Sequence, residues 1–591
     1  MTPPPVAPEN VKRWERPPDR VPAFVEHWGR GPFVATAVLL TALAAGAAAW
    51  SPPLAPLLAL PAAFWVMGLG DMAQKRQTIL RNFPVLGRLR SFAESIRPEL
   101  RQYFVESDHE ENPFSREQRS LVYQRSKDVL DTLPFGTRLN VYQTGYEWLN
   151  HSLEPTHPGP ETARVLVGAE RCKQPYSASI FNISAMSYGS LSKAAVRALN
   201  KGAKLGGFFH NTGEGGLSPY HLEHGGDIVW QVGTGYFSAR GPDGRFSPER
   251  FAENAAQPAV RMIEVKLSQG AKPAHGGILP AGKVTEEVAR IRGVPMGKDV
   301  LSPPAHTAFS GPRGLLEFVA RLRELSGGKP VGFKLCMGNP VEFMGIVKAM
   351  LETGLLPDYI AIDGGEGGTG AAPLEFSNSV GAPLVEGLRL AHNTLVGAAL
   401  RDRVVLLSAG RITSGFDLMH HLAIGADACN SARGMMFALG CIQALKCNSN
   451  KCPVGVATQD ERLVAGLDVD DKAVRVANFH RRTVTSLLEL VGAAGLASPA
   501  ELHPELLIRR ISQTEVKPVS EIYPTVEWGC LAAGEPPPRY ARWWAMASAD
   551  HFKPAPVEAL LAKTHLALGN ARMAEVLAAE LKRLSGCAPT R

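Results

Sequence analysis

At 591 residues the chain is too long for one ordinary domain, given roughly 100–200 residues per domain. Hydrophobic residues make up 45% and charged residues 20%, which excludes a disordered or fibrous chain. The net charge of +7 is a mild excess of 63 basic over 56 acidic residues, and no Lys/Arg block forms a nucleic-acid face.

Residues 1–32 read as an N-terminal segment. Within 33–70, the runs FVATAVLLTALAAGAAAW (33–50) and LAPLLALPAAFWVMGLG (54–70) carry no charge and flank Ser51-Pro52-Pro53. Each lies near the lower length limit of a spanning helix, about 17–25 residues. The pair predicts a transmembrane hairpin; two buried helices of a soluble domain are the alternative. A secretory signal would begin nearer Met1 and have one shorter apolar core. Lys12, Arg13, Arg16, Arg20 and Arg30 precede the first run, and Lys75, Arg76, Arg81, Arg88 and Arg90 follow the second. The positive-inside rule then puts both ends, and the catalytic domain, on the cytoplasmic face of an inner membrane.

Residues 71–160 read as a juxtamembrane and cap region. From 161 to 500 short β-branched runs alternate with amphipathic stretches. Strands are expected at 180–184, 207–210, 262–266, 300–302, 331–335, 359–363, 404–408 and 426–430, with helices at 315–325, 341–353 and 415–424. Eight such units predict an α/β fold closed into a parallel (β/α)8 barrel. Residues 501–591 form a C-terminal extension with a helical pattern at 557–584.

In such a barrel chemistry sits at the C-terminal strand ends. Those ends carry Ala185-Met186-Ser187, Asn211-Thr212-Gly213-Glu214, Lys266 to Gln269, Lys334, Asp363-Gly364-Gly365 and Ser408-Ala409-Gly410. Glycine-rich approaches follow the sixth expected strand (DGGEGGTGAAP, 363–373), the seventh (Gly410) and the eighth (Ser431-Ala432-Arg433-Gly434), as a phosphate site in this fold uses. Lys266, Gln269 and Lys272 end the third expected strand, and Arg292 lies on a helix starting near Lys283. Such a gathering of cations and an amide suits a dianionic substrate. Glu214, among glycines, has a proton-handling or loop-fixing role. His210, His275 and His306 have no metal-ligand spacing and read as structural.

Eight cysteines are too sparse for a disulfide scaffold. Cys441, Cys447 and Cys452 cluster in CIQALKCNSNKCP, spaced C-x5-C-x4-C. Thiolates are ligands for iron–sulfur clusters and zinc, but no fourth Cys or His lies nearby in sequence for a structural zinc.

These stretches resemble the FMN-binding glutamate synthase family over about 160–500. The resemblance is carried by SAMSYGSLS (184–192), HNTGEGG (210–216), EVKLSQGAKP (264–273), LPAGKVTEEVARIR (279–292), DGGEGGTGAAP (363–373) and ALGCIQALKCNSNKCPVGVATQD (438–460). It implies a TIM-barrel flavoprotein that reduces 2-iminoglutarate, formed from 2-oxoglutarate and ammonia, to L-glutamate on FMN. A [3Fe–4S] cluster would sit on Cys441, Cys447 and Cys452, fed by a separate electron donor or acceptor protein. Catalytic residues would be Glu214, Lys266, Gln269, Lys272 and Arg292. The flavin would be held by Ala185, Met186, Ser187, Asn211, Thr212, Gln231, Lys334, Asp363, Gly364, Gly365, Gly410, Arg411, Ala432 and Arg433. Where the family reads KPGEGGQLPG, this chain has His275 and Ile278 in place of Glu and Gln. It also opens on Met1-Thr2, without the N-terminal Cys of a glutaminase. A related amine transfer such as N-methylglutamate synthesis, and a non-catalytic membrane-anchored flavin electron relay, are the alternative functions. Flavin α-hydroxy-acid oxidases share the barrel, but Ala409-Gly410-Arg411 carries no His–Arg base motif.

Overall fold

A computed structural model describes residues 29–109 and 112–554. Lys12, Arg13, Arg16 and Arg20, and the helical pattern expected at 557–584, lie outside the described residues. The chain divides into two compact units between Asn112 and Pro113.

In the first unit a helix spans Arg30–Trp50, and a 3-10 turn over Pro52–Leu58 leads into a second helix, Ala59–Ala73. Ser51 is extended and Pro52 lacks the N–H that would continue the first helix. The helices meet where Gly68 leaves room for a ring: a Cβ there would come within 2.0 Å of Phe33. Phe33 also packs against Phe64, ring centroids 5.1 Å apart and tilted, and Trp65 Nε1 donates to Thr41 Oγ1 at 3.1 Å. Both segments are long and apolar enough to cross a membrane, and little of either is buried. Outward residues such as Leu43, 62% exposed, and Val66, 74% exposed, do not pack as a soluble core pair would.

The second unit is built on a closed eight-stranded parallel barrel. Its strands are β1 (Phe181–Ile183), β2 (His210–Asn211), β3 (Ile228–Val232), β4 (Val260–Lys266), β5 (Val331–Cys336), β6 (Tyr359–Asp363), β7 (Val405–Ala409) and β8 (Ala428–Ser431). The ring closes through β8 and β1, with Ser431 opposite Ile183. Every residue of β3, β5 and β6 is buried. Helices on the outside and side chains on the inside cover both faces of the sheet, so these strands read as continuous rather than alternating runs. The surrounding helices start on polar caps. Ser192 Oγ accepts from Ala195 N, Asn339 Oδ1 accepts from Val341 N, and Ser414 and Asp417 form a capping box.

Two strand expectations are corrected. Residues 300–302 are not a barrel strand: Val300–Leu301 pairs antiparallel with Ile278–Leu279 in a two-stranded ribbon. Leu301 is 68% exposed, whereas a barrel strand is covered on both faces. The barrel takes Ile228–Val232 instead, so Lys266 ends the fourth strand and not the third. The second strand begins at His210 rather than Gly207, because Gly207 is the left-handed C-terminal cap of the preceding helix, φ 68°. Arg292 ends a helix over Glu286–Arg292, preceded by a single 3-10 turn at Ala281–Lys283.

Sequence before and after the barrel joins in one small sheet. Leu507–Arg510 pairs antiparallel with both Glu147–Leu149 and Val516–Pro518, and Arg509 Nε donates to Glu147 Oε1 at 2.5 Å. The last helix among the described residues, Pro538–Met546, sits on the barrel helix Pro340–Thr353, where Lys348 lies over the Trp544 ring.

Candidate active site

Lys266 ends β4 with its ammonium turned into the mouth. Nζ donates to Glu214 Oε2 at 2.6 Å and to Gln269 Oε1 at 2.8 Å. The Glu214 carboxylate is pressed by backbone: a Cβ on Gly277, in the ribbon loop, would come within 2.6 Å of it. Lys272 Nζ donates to the Ala371 carbonyl, in the loop after β6, at 2.6 Å. Arg292 donates to the Tyr188 carbonyl at 2.9 Å and lies over the Phe237 ring, while its buried Nε has no partner. Lys266, Lys272 and Arg292 are all less than a tenth exposed.

The charges here do not balance. Burial raises the Glu214 carboxyl, but Lys266, with Lys272 and Arg292, more than offsets it and holds it below the usual carboxylate range. Burial pushes Lys272 down to about 8 against the attraction of Glu214. Burial likewise lowers Arg292, to about 10. Three buried cations share one carboxylate, an excess that costs free energy until an anion offsets it.

Below this cluster a polar layer crosses β2 to β6. Glu264, inside β4, accepts from Asn211 Nδ2 at 2.8 Å and from Gln231 Nε2 at 2.7 Å. Burial raises its carboxyl, partly countered by Lys334. Lys334, on β5, pairs with Asp363 at 3.1 Å. Burial alone would lower its ammonium, but Asp363 and Glu264 more than compensate and raise it. Asp363 also accepts from Gly270 N, tying the β4 loop to β6. Thr212 Oγ1 accepts from Gln231 N. Gly213 packs directly on the backbone of Met186 and Ser187, so the Ala185–Ser187 loop lies beside the β2 loop.

On the opposite side of the mouth lies a cleft. It is lined by Gly367 and Gly368 after β6, Ala409, Gly410 and Arg411 after β7, and Asn430 to Gly434 at β8. Phe114 and Asp363 complete it. These are the three glycine-rich approaches expected at a phosphate site. Arg433 donates to the Glu366 carbonyl at 2.7 Å and stacks over Phe114 at 4.7 Å. Burial, aided by nearby Arg411, lowers its guanidinium to about 10. The buried Asn430 Oδ1 has no partner. Gly364 and Gly365 hold the loop by donating to Ala409 and Ala382 carbonyls.

The cysteine loop follows the short helix Arg433–Ala438. Gln443, Leu445 and Asn450 all adopt left-handed backbone, φ 57°, 53° and 61°. Such strain persists only where the surroundings hold it; here Tyr123 donates to the Cys441 carbonyl and Thr458 to that of Asn450. Burial, with Cys447 and Cys452 adding, pushes the Cys441 thiol up to about 12. Lys283 Nζ donates to the Ser190 and Ala457 carbonyls, at 2.9 and 2.8 Å. Its lowering to about 8 by burial is opposed by Cys447 and Cys452. Among the described residues, however, no group of three or more His, Cys, Asp or Glu side chains is arranged to hold a metal ion.

The mouth thus brings Glu214, Lys266, Gln269, Lys272 and Arg292 to one side, and Gly410, Arg411, Ala432 and Arg433 to the other. Sequence reasoning missed Glu264, Phe114, Lys283 and Asn430. Glu264 was accessible as a carboxylate between the apolar Ile263 and Val265 of a strand; Phe114 left no local signal.

Comparison with known proteins fits this geometry. A family described as a conserved region in glutamate synthase matches residues 153–497. The glutamate synthase large subunit-like protein YerD of Bacillus subtilis is 38% identical over 487 residues, 76% of this chain and 92% of that protein. The archaeal-type glutamate synthase [NADPH] of Thermotoga neapolitana is 35% identical over 314 residues, 53% of this chain but 59% of that protein. Among solved structures, mandelate oxidase with (S)-2-phenylpropionate is 14% identical, covering 68% of this chain and 98% of its own, with a TM-score of 0.38. The barrel assignment rests on strand register and not on that last likeness. The chain belongs to the glutamate synthase family, and with it to the oxidoreductases that act on CH–NH2 groups.

Proposed function

We propose that the chain is an FMN- and iron–sulfur-dependent oxidoreductase that reduces 2-iminoglutarate, from 2-oxoglutarate and ammonia, at the cytoplasmic face of an inner membrane. The observation that carries the substrate class is the excess of buried positive charge: Lys266, Lys272 and Arg292 against Glu214 alone. A dicarboxylate offsets that excess, and a neutral substrate does not.

The residues present suit FMN. Gly410, Arg411, Ala432 and Arg433 would hold its phosphate, with the unpartnered Asn430 Oδ1 available to a hydroxyl. Ala185, Met186, Ser187, Asn211, Thr212, Gln231, Asp363, Gly364 and Gly365 would surround the ring system, with Lys334 at its pyrimidine end. Bound there, FMN supplies hydride chemistry that no side chain has. Cys441, Cys447 and Cys452 match an iron–sulfur cluster in donor type. Their thiols couple electrostatically in one strained loop, although their positions form no ready metal site.

The chain's own groups divide the remaining work. Lys266, Lys272 and Arg292 hold carboxylates and orient the reacting carbon. Glu214, kept ionised by Lys266, accepts an N–H of an imine or ammonium. Lys272, lowered to about 8 by burial, can exchange a proton near neutral pH. The two apolar helices anchor the chain. A separate protein exchanges electrons with the site.

The test is anaerobic photoreduction of the purified protein. Addition of 2-oxoglutarate with ammonium is expected to reoxidise the flavin, and 2-oxoglutarate alone to leave it reduced. Flavin-loaded protein that stays reduced with both reactants contradicts the substrate. Reoxidation by methylamine in place of ammonium would favour N-methylglutamate synthesis.

A further inference from the structure

The first unit ends in a helix whose side chains find few partners within it. Gly87–Leu100 reads GRLRSFAESIRPEL. At about 100° per residue, Leu89, Phe92, Ile96 and Leu100 fall in one stripe under a quarter of the circumference wide. Leu89 and Phe92 are each 61% exposed. Tyr103 and Phe104, in the π turn Arg101–Val105 that follows, are exposed as well. Glu99 and Arg88 border the stripe on one side, and Arg90 and Arg97 on the other, with Arg97 3.9 Å from Glu94. Ser91, Glu94 and Pro98 occupy the far face.

The start of this helix is fixed to the apolar hairpin. Arg88 Nη2 lies 2.6 Å from Asp71, two residues before the second apolar helix ends, and Val85 N donates to the same carboxylate at 3.0 Å. Arg30, at the start of the first apolar helix, donates to the Arg81 carbonyl at 2.8 Å. Both contacts gather at the end of the hairpin where Arg30 and Ala73 lie. If the hairpin spans a bilayer, that end is its boundary, and a helix leaving from it meets the headgroup layer first.

Resting on the membrane reading of the hairpin, we propose that Gly87–Leu100 lies in the plane of the membrane surface. Its apolar stripe enters the acyl boundary, and Arg90 and Arg97 meet anionic lipid headgroups, while Arg88 stays paired with Asp71. An amphipathic helix with a cationic flank is the form that such a surface binds, and the stems of Arg90 and Arg97 reach past the apolar stripe to the headgroups.

The full chain, reconstituted in vesicles of phosphatidylcholine and phosphatidylglycerol in equal parts, tests this with the photocrosslinker benzoylphenylalanine at one position at a time. Lipid adducts are expected from position 92 and not from position 91. Position 43, on the first apolar helix, reports the hairpin separately. Lipid adducts at 43 without any at 92 overturn the surface helix and leave the hairpin standing; absence at both overturns the two together. Adducts from 92 to protein, within the chain or to a second copy, also overturn it. Arg90→Gln with Arg97→Gln should cut lipid labelling at 92 several-fold in these vesicles and leave it unchanged in phosphatidylcholine alone. Equal labelling with and without the two arginines rules out the headgroup contact.

Discussion

Lys266 Nζ lies 2.6 Å from Glu214 Oε2, and this pair is the only direct ion pair among the four charged groups Glu214, Lys266, Lys272 and Arg292 at the mouth. Removing one partner of a buried pair leaves the other charge without compensation, at about 3–5 kcal/mol. Glu214→Gln should therefore lower the stability of the barrel by about that amount in denaturant unfolding. Added 2-oxoglutarate should recover part of the loss, because a bound dicarboxylate supplies the missing negative charge. A variant as stable as the parent, or one that 2-oxoglutarate leaves unaffected, would mean that the cations are balanced by some other route.

Lys272 illustrates the opposite sign. Its ammonium falls from 10.5 to about 8 on folding, so burying its charge destabilises the ligand-free protein by about 3 kcal/mol. Between these values the unfolded chain binds more protons than the folded one, and stability rises with pH. Below 8 the cost is present in full; above 10.5 it is gone. Lys272→Met should accordingly stabilise the ligand-free protein at neutral pH, with the advantage shrinking as pH rises from 8 towards 10.5. The same change should abolish reoxidation of the flavin by 2-oxoglutarate and ammonium. Unfolding curves of both proteins across that window decide it: a gain that does not depend on pH would point to packing rather than charge.

The barrel was legible in the sequence because strands covered on both faces leave continuous β-branched runs, and the residues at their ends fall together once the ring closes. The confusion of 300–302 with Ile228–Val232 has a physical source. Both are short, largely apolar runs, and only burial, absent from a local pattern, separates a ribbon over the mouth from a wall of the barrel. Glycine-rich stretches after β6, β7 and β8 pointed correctly to one cleft. Phe114 closes the same cleft from far upstream in the chain, a long-range contact with no local periodicity. Spacing named three thiols; it could not say how the loop between them is held, which depends on Tyr123 and Thr458.

Arg433 should decide flavin retention more than any other group in the cleft. It is half-buried, stacked on Phe114 and fixed by the Glu366 carbonyl, so little side-chain freedom remains to be lost when a phosphate binds. Arg433→Leu keeps the apolar stem and removes the charge. A charge-assisted phosphate contact contributes about 1.5–3 kcal/mol, so FMN should bind at least tenfold more weakly. Phe114→Ala should loosen the guanidinium and weaken binding by a smaller factor. Equilibrium dialysis of apoprotein measures both, and unchanged affinity in Arg433→Leu would move the phosphate out of this cleft.

Cys447 separates the two proposed cofactors. It lies in the strained loop, away from the glycine-rich cleft, and burial raises its thiol with Cys452 adding to the shift while Lys283 opposes it. A metal that bound there would have to take the thiolate form, and the loss of one of three thiols leaves too few ligands for a cluster. Cys447→Ser should remove the iron measured by metal analysis and electron paramagnetic resonance while leaving the flavin absorbance intact. Lys283→Met should keep the iron if the lysine only ties the Ser190 and Ala457 carbonyls together. It should lower the cluster's reduction potential if the nearby positive charge stabilises the reduced, more negative form. Full iron content in Cys447→Ser would take the cluster off these three cysteines, whatever the flavin does.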